Sequence, residues 1–211
     1  MPTQHITFPA DDLTLEGVLS LPDQTSGVPG IVICHPHPLH GGDMDNNVVM
    51  ALAAAFAGAG YAVLRFNFRG VGWSDGRYGE GIGEQADAKG ALAYMAAQSA
   101  INAERLLLAG YSFGARVALT VAPADPRVQG IIVVAPPMRQ ADWPGLDTYR
   151  APKLFFCGDA DPVCPREAIT ALVDRLPEPK WLSILPGTDH FFLGHERTLG
   201  QQAVRLLQEF P

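Results

Sequence analysis

Residues 110–114 read GYSFG and place Ser112 at the centre of a G-x-S-x-G pattern. The apolar run 106–109 precedes the pattern, and small and apolar residues with helical character follow it up to Val121. A strand, a tight turn through a serine and a helix together form a nucleophile elbow, which raises the serine side chain above the sheet. The N-terminus of the helix carries partial positive charge and stabilises a neighbouring anion. We therefore expect acyl-transfer chemistry, with Ser112 as the nucleophile and the N–H of Phe113 as one oxyanion donor.

A second G-x-S-x-G pattern spans residues 72–76 and centres on Ser74. It also follows an apolar run, but the residues after it have the composition of a glycine-rich loop and not of a helix start. Without a helix N-terminus facing it, Ser74 lacks the setting of a nucleophile, and we interpret it as a structural or loop-lining residue. Arg69, Asp75 and Asp87 flank this loop, and we expect them to hold it through ion pairs or caps.

A serine hydroxyl is a weak nucleophile and needs a neighbouring base, which in turn needs an orienting carboxylate. His190 follows the last predicted strand and precedes the last predicted helix, so it is the preferred base. His195, at the start of that helix, is the fallback. The turn after the strand at 153–157 offers two carboxylates, Asp159 and Asp161. Serine, acid and histidine then follow one another in an order known from hydrolases.

The second oxyanion donor must come from another loop at the same edge of the sheet. Residues 35–40 (HPHPLH) directly follow a buried strand at 30–34 and are well placed to supply it. Proline has no backbone N–H, so the prolines at positions 36 and 38 narrow the choice to the N–H of His37 or that of Leu39.

The histidines of this loop raise a metallohydrolase as an alternative. His35, His37 and His40 have the spacing of the H-x-H-x-D-H motif of metallo-β-lactamase-type hydrolases. The aspartate of that motif is replaced by Leu39, and no matching set of further ligands follows the other strands. We therefore predict no metal and no organic cofactor, and we favour a rigid loop that presents backbone donors.

Several large side chains near these positions could line a substrate pocket. Tyr111, Phe113 and Phe191 adjoin the predicted nucleophile and base, whereas Met138 and Trp143 lie in a connection between two predicted strands. Their apolar character favours a substrate with a short or medium acyl group.

The bulk composition excludes several classes of protein. The 211 residues predict one domain over 1–211, and 47% hydrophobic with 18% charged residues is typical of a globular protein. The formal net charge of −7 and the absence of a basic run argue against nucleic acid or an anionic membrane as a partner. No secretory signal or membrane-spanning run is apparent, and three cysteines, two of them in apolar runs, indicate a reducing, cytoplasmic setting.

The apolar runs and the segments between them predict the positions of the strands and helices. Residues 4–9 and 12–21 indicate an N-terminal antiparallel hairpin. Six further strands alternate with helical segments, at 30–34, 62–68, 105–109, 130–134, 153–157 and 181–185. This alternation predicts an α/β fold, with a mostly parallel, twisted sheet of about eight strands and helices on both faces. Sites on such sheets lie beyond the carboxyl ends of the strands, where all the candidate residues fall.

The chain resembles the α/β-hydrolase superfamily over nearly its whole length. The resemblance is carried by residues 110–114, the turn 158–161, His190, the HPHP loop and the segment 65–76 (RFNFRGVGWSDG), and it is greatest to a small bacterial subgroup of lidless serine hydrolases. It implies Asp161 as the acid, the N–H of His37 as the second oxyanion donor, no cap domain and an open, shallow site. Relatives similar to dienelactone hydrolase use cysteine at the nucleophile position, so their substrate is not transferred.

These observations predict a cytoplasmic serine hydrolase that cleaves small or medium carboxylic esters through an acyl-enzyme intermediate. A thioesterase or peptidase would use the same three side chains. A metallohydrolase at the histidine loop, or a hydrolase fold retained as a binding module without catalysis, are the less favoured alternatives. The only partner that the prediction requires is a small-molecule ester.

Overall fold

A computed structural model describes residues 2–23, 26–140 and 143–209. Within these ranges, eight strands form one sheet in the order β1-β2-β4-β3-β5-β6-β7-β8. Their bounds are β1 Thr3–Ala10, β2 Leu13–Ser20, β3 Val28–Cys34, β4 Ala62–Phe66, β5 Ile101–Tyr111, β6 Val128–Val134, β7 Lys153–Gly158 and β8 Lys180–Leu185. The predicted number of strands and the N-terminal hairpin are confirmed.

The N-terminal strands are antiparallel and the remaining strands are parallel. Strand β1 alternates exposed and buried residues and pairs antiparallel with β2, which itself pairs antiparallel with β4. From β3 to β8 the neighbouring strands are parallel. Strands β6 and β7 are almost entirely buried, as expected of parallel strands that are covered on both faces.

Five α-helices cover the sheet in the described residues, which confirms the predicted α/β fold. They are α1 Asn47–Gly58, α2 Gly83–Ala96, α3 Phe113–Val121, α4 Arg166–Arg175 and α5 Glu196–Gln208. Right-handed crossovers put α1 on one face and α2, α3 and α4 on the other, and α5 packs against α1. Within the described residues, no helix has the length and apolar character needed to cross a membrane.

Several strand ends differ from the prediction by one or more residues, and the contacts account for two of them. Strand β4 ends at Phe66 and not at Phe68, because the N–H of Phe68 donates to a side chain outside the sheet, the ring of His35. Strand β5 begins at Ile101, well before the predicted start, because Ile101 pairs with Val28 beyond a register shift. Irregular pairing of this kind leaves no mark on the hydrophobic pattern.

The connection between β6 and β7 contains no cap domain in the part that the structure describes. A short 3₁₀ helix spans Met138–Gln140, and the chain then returns to the sheet at Lys153. The carboxyl ends of the parallel strands are therefore left without a lid above them.

The glycine-rich loop after β4 is anchored by a buried ion pair. The guanidinium of Arg69 donates to the carboxylate of Asp87 at 2.7 and 3.0 Å, and the N–H of Arg69 donates to the same group. The Asp87 side chain is 0% exposed. Burial raises the pKa of Asp87, and the hydrogen bonds from Arg69 oppose that shift. The expected structural role of this pair is confirmed.

Removing one partner of this pair leaves the other charge buried and unpaired, so Asp87→Ala should lower the free energy of unfolding by about 3 kcal/mol. Urea denaturation followed by circular dichroism measures the change. Glu209→Ala is the matched control, because it breaks the exposed pair with Arg205 and should cost about 0.5 kcal/mol or less. Equal losses in the two variants would contradict the structural role of the buried pair.

Candidate active site

Ser112 lies at a sharp turn between β5 and α3. Its backbone has φ 54° and ψ −113°, in the left-handed half of conformational space that residues with a Cβ atom rarely adopt. Such a conformation costs about 1–3 kcal/mol and persists where the surrounding structure enforces it. The N–H of Ser112 donates to the carbonyl of Val134 in β6 at 2.8 Å, which fixes the turn to the sheet. The turn leaves the serine side chain half-buried at the start of the helix.

Both glycines of the pattern are required, because neither position has space for a side chain. A Cβ atom on Gly110 would lie 2.2 Å from the carbonyl oxygen of Gly114, and one on Gly114 would lie 2.3 Å from the carbonyl oxygen of Cys34. Both distances are far below van der Waals contact, and both neighbours are backbone atoms that cannot move aside. The glycines therefore let α3 start directly against the ends of β3 and β5.

Three predicted side chains meet at this edge of the sheet. The Ser112 Oγ lies 2.9 Å from Nε2 of His190, and Nδ1 of His190 lies 2.8 Å from Oδ2 of Asp161. Because a carboxylate only accepts hydrogen bonds, Nδ1 carries the proton and Nε2 accepts from the serine hydroxyl. This places the unprotonated nitrogen beside the nucleophile candidate, as a general base requires.

The acid is held by its own loop. Oδ1 of Asp161 accepts the N–H groups of Val163 and Cys164 at 2.8 and 3.0 Å, which leaves Oδ2 for the histidine. The Asp161 side chain is 0% exposed, and that of His190 is 13% exposed. Three donors thus fix the carboxylate in a position closed to solvent.

The competing carboxylates have structural positions. Asp159 accepts the N–H of Thr188 at 3.3 Å and so joins the acid loop to the histidine loop. Asp189 accepts the N–H of Phe191 within its own turn. Neither carboxylate bonds to His190, and His195 lies apart from this row, at the N-terminus of α5.

A hydrogen bond that the sequence analysis missed fixes the histidine loop. The buried hydroxyl of Tyr111 donates to the backbone carbonyl of His190 at 2.6 Å. Burial raises the pKa of Tyr111 above its ordinary value, so the hydroxyl stays protonated as a donor. The residue before the serine therefore positions the backbone of the base.

His35 is part of the scaffold and not a metal ligand. Its Nδ1–H donates to the carbonyl of Pro36 at 2.7 Å, and its Nε2 accepts the N–H of Phe68 at 3.0 Å. Both ring nitrogens are occupied by backbone groups, and the residue is fully buried. Burial lowers the pKa of His35 from 6.5 to about 4.

His37 and His40 do not form a chelating pair. Their rings stack with centroids 4.3 Å apart, and the Nδ1 of His37 accepts the N–H of Leu39 at 3.2 Å. Over residues 2–23, 26–140 and 143–209, no group of three or more histidine, cysteine, aspartate or glutamate side chains is arranged to hold a metal ion. The geometry of the loop therefore gives no support to the metallohydrolase alternative.

The same contacts distinguish the two oxyanion candidates. The N–H of Leu39 is used by the His37 ring, whereas the N–H of His37 has no acceptor in the part of the chain that the structure describes. The N–H of Phe113 is at the first position of α3 and has no partner within the helix. Two unpaired N–H groups are thus available at this edge of the sheet.

The three side chains open into a cavity of about 670 Å³. Phe191, 61% exposed, stands at its rim. Its lining consists of Pro36, His37, His40, Gly41, Gly42, Asn46, Tyr111, Ser112, Phe113, Arg116, Pro137, Arg139, Val163, His190 and Phe191. The expected lining by Tyr111, Phe113 and Phe191 agrees with this set.

Two predicted lining residues are corrected. Trp143 is only 6% exposed and borders a separate depression with Leu172 and Leu176. Met138 packs against the core, whereas Pro137 and Arg139 on either side of it face the cavity. Met138 and Arg139 are successive residues of the 3₁₀ helix, where side chains point in directions about 120° apart, so the two cannot share one face. The position of a residue near the site in the sequence therefore did not predict whether its side chain lines the cavity.

Ser74 has a structural position. Its hydroxyl donates to the carbonyl of Asn67 at 2.7 Å and accepts the N–H of Glu16 at 3.1 Å. The next helix begins only at Gly83. Ser74 therefore joins the glycine-rich loop to β2 and has no helix N-terminus behind it, as its sequence context predicted.

The buried His35 should make the protein acid-sensitive. Between pH 6.5 and 4 the unfolded chain binds a proton that the folded protein does not, so the free energy of unfolding should fall by about 3 kcal/mol as the pH drops through this range. His35→Gln retains an acceptor for the N–H of Phe68 but no titrating group, so its loss should be much smaller. Urea denaturation at several pH values measures the free energy of unfolding of the wild type and of the variant. If this free energy depended on pH equally in the two proteins, the acid sensitivity could not be assigned to His35.

Comparisons with known proteins agree with the fold. A family model described as an alpha/beta hydrolase domain matches residues 31–210. An uncharacterized protein of Rickettsia prowazekii is 35% identical over 172 residues, which cover 78% of this chain and 72% of that relative. An uncharacterized protein of Mycobacterium tuberculosis is 28% identical, and the match spans 63% of its length.

Solved structures extend the comparison over nearly the whole chain. An alpha-beta serine hydrolase homologue from Coxiella burnetii is 37% identical with a TM-score of 0.88 and 98% of both chains covered. A serine hydrolase without a lid from Xanthomonas campestris is 33% identical with a TM-score of 0.84, and covers 98% of this chain and 96% of its own. The chain therefore belongs to the alpha/beta hydrolase family, as a small, lidless hydrolase.

Proposed function

We propose that this protein is a serine hydrolase that cleaves carboxylic esters of small or medium size, with Ser112, His190 and Asp161 as a catalytic triad. The observation that carries the proposal is the continuous hydrogen-bonded row from the Ser112 Oγ through His190 to Asp161. The row opens into the cavity of about 670 Å³. A binding module would need the cavity but not the row, so the row favours catalysis.

Each residue has a defined part in the reaction. His190 Nε2 takes the hydroxyl proton as the Ser112 Oγ attacks the acyl carbon, and Asp161 stabilises the imidazolium that forms. The negative charge moves to the carbonyl oxygen, where the N–H groups of Phe113 and His37 and the N-terminus of α3 stabilise it. The intermediate collapses, and His190 delivers its proton to the leaving alcohol. Water then attacks the acyl-enzyme by the same route and releases the acid, with no metal or organic cofactor.

The open cavity supports an ester substrate of modest size. Apolar side chains at the site, including Phe113, Phe191 and Val163, can contact an acyl chain, and no cap domain encloses it among the described residues. Thioesters and amides react through the same intermediate, so a panel of all three classes measures the preference. Of these, activated esters place the smallest demand on leaving-group protonation and are the best first substrates.

Ser112→Ala should lower kcat for a p-nitrophenyl ester by about 10⁴-fold or more, and Asp161→Asn by about 10⁴-fold, because both disable one proton-transfer unit. A fluorophosphonate probe should label the wild-type protein at Ser112, as mass spectrometry of the tryptic peptide will show. Ser74→Ala is the control and should keep both turnover and labelling. Ester turnover that survives Ser112→Ala, or labelling at Ser74, would contradict the proposal.

The oxyanion assignment can be tested by removing one backbone N–H. His37 has φ −58°, which proline also adopts, so His37→Pro deletes the donor with little change in the chain path. We expect kcat to fall by about 10²- to 10³-fold.

His37→Ala is the matched comparison, because it removes the same ring but keeps the N–H. Its kcat should fall by less than about tenfold. Thermal unfolding of both variants verifies that they are folded. Equal kcat values in the two variants would exclude the N–H of His37 and return the assignment to Leu39.

A further inference from the structure

The cavity is basic although the chain is acidic. The sequence has 22 acidic and 15 basic residues, yet the charged side chains in the described lining are Arg116 and Arg139, and the other titratable side chains there are three histidines and Tyr111. Neither aspartate nor glutamate lines the cavity within the described part of the chain. The positive charge of the arginines is thus concentrated beside the predicted nucleophile.

Arg116 is placed there by the geometry of the elbow. It stands four residues after Ser112, one helical turn along α3, so the two residues share a face of the helix. Its N–H donates to the carbonyl of Ser112 at 3.1 Å. Its guanidinium lies against the backbone of Gly81, where an added Cβ would sit 3.2 Å from Arg116 Cζ. The side chain is therefore held between the helix and the glycine-rich loop.

Arg116 differs from the other half-buried arginines in having no anionic partner. Arg65, Arg69 and Arg127 each donate to a carboxylate, those of Asp45, Asp87 and Asp125. The Arg116 guanidinium makes no hydrogen bond and no ion pair to any of the described residues. A planar guanidinium has five donors suited to a carboxylate or phosphate, and here they face an open cavity.

Glu84, in the first turn of α2, does not neutralise this charge by contact. Glu84 is fully buried, and its two carboxylate oxygens accept the N–H groups of Gly79 and Gly81 at 2.7 Å each. Burial and His40 lower the pKa of His37; Glu84 opposes that shift, and Arg116 adds a smaller lowering effect. An anion in the cavity can therefore contact the Arg116 guanidinium directly, whereas the Glu84 carboxylate is bonded to the backbone and does not line the cavity.

We propose that Arg116, with Arg139 as a second cation at the rim, binds an anionic group on the substrate, so that the preferred esters carry a carboxylate or phosphate at one end. This inference rests on the proposed ester hydrolysis and adds its substrate class. Arg116 acts as a specificity-determining residue that positions the acyl or alcohol part, and takes no proton itself. Hydrogen bonds from a guanidinium to a carboxylate support a preference of about 10- to 100-fold.

The test compares two esters of matched shape. p-Nitrophenyl hydrogen adipate carries a terminal carboxylate, and p-nitrophenyl 6-methylheptanoate has an isopropyl group in its place. The four-methylene spacer limits attack of the carboxylate on its own ester. An ester with a phosphate-terminated acyl chain shows whether phosphate or carboxylate is preferred. For the alcohol part, the acetate ester of 4-hydroxybenzoate carries the charge, and the acetate ester of 4-hydroxybenzamide is its neutral partner.

The measured quantity is the ratio of kcat/KM for the anionic ester to that for its neutral partner. In the wild type we expect a ratio of about 10 or more on at least one side of the ester, and we expect it to fall as salt screens the charge. Arg116→Gln should lower the ratio at least tenfold, mainly through KM, while Arg116→Lys should retain part of it. Arg105→Gln, an exposed arginine away from the cavity, should leave the ratio unchanged.

The outcomes separate the two proposals. Turnover of the neutral esters with a wild-type ratio near or below 1, or the same ratio in Arg116→Gln as in the wild type, would overturn anion recognition and leave ester hydrolysis intact. Absence of turnover for every ester, together with no fluorophosphonate labelling at Ser112, would overturn the ester hydrolase itself. A salt-independent ratio in the wild type would also count against Arg116, even if one of its variants failed to fold.

Discussion

The left-handed backbone of Ser112 is the constraint on which the site depends. The conformation is costly, and it is held by the sheet on one side and by α3 on the other, through the hydrogen bond from the N–H of Ser112 to Val134 and through the close approach allowed by Gly110 and Gly114. This turn also lets α3 begin immediately after the serine and so leaves the N–H of Phe113 without a partner. One strained residue thereby supplies both a raised hydroxyl and a donor for an oxyanion.

The acid and base loops converge by a second close approach. A Cβ on Gly158 would lie 1.9 Å from the carbonyl oxygen of Thr188, and Asp159 bonds to the N–H of the same residue. The backbones of the loops that carry Asp161 and His190 are therefore in direct contact, in addition to the hydrogen bond between the two side chains. Because Tyr111 also donates to the carbonyl of His190, the serine turn and the histidine loop are joined as well.

Much of the candidate site could be predicted because a parallel sheet brings the ends of its strands to one edge. The G-x-S-x-G pattern, the turn after β7 and the histidine after β8 were identified by position alone. Side-chain direction in irregular segments could not be predicted, and the lining assigned to Trp143 and Met138 was therefore wrong. Arg116 was missed although its spacing of four from Ser112 predicts a shared helix face. Arg139, in a short 3₁₀ turn, carries no such signal.

The sequence by itself determined the α/β class, the strand order along the chain and the residues at the carboxyl ends of the strands, because these depend on local hydrophobic period and on glycine and proline. The tertiary structure decided which polar groups found partners. In the folded protein both ring nitrogens of His35 and the N–H of Leu39 make hydrogen bonds, whereas the N–H of His37 has no acceptor among the described residues. The tertiary structure also paired Arg69 with Asp87 while leaving Arg116 facing the cavity. Hydrogen bonds between segments far apart in the chain depend on packing, which no local pattern encodes.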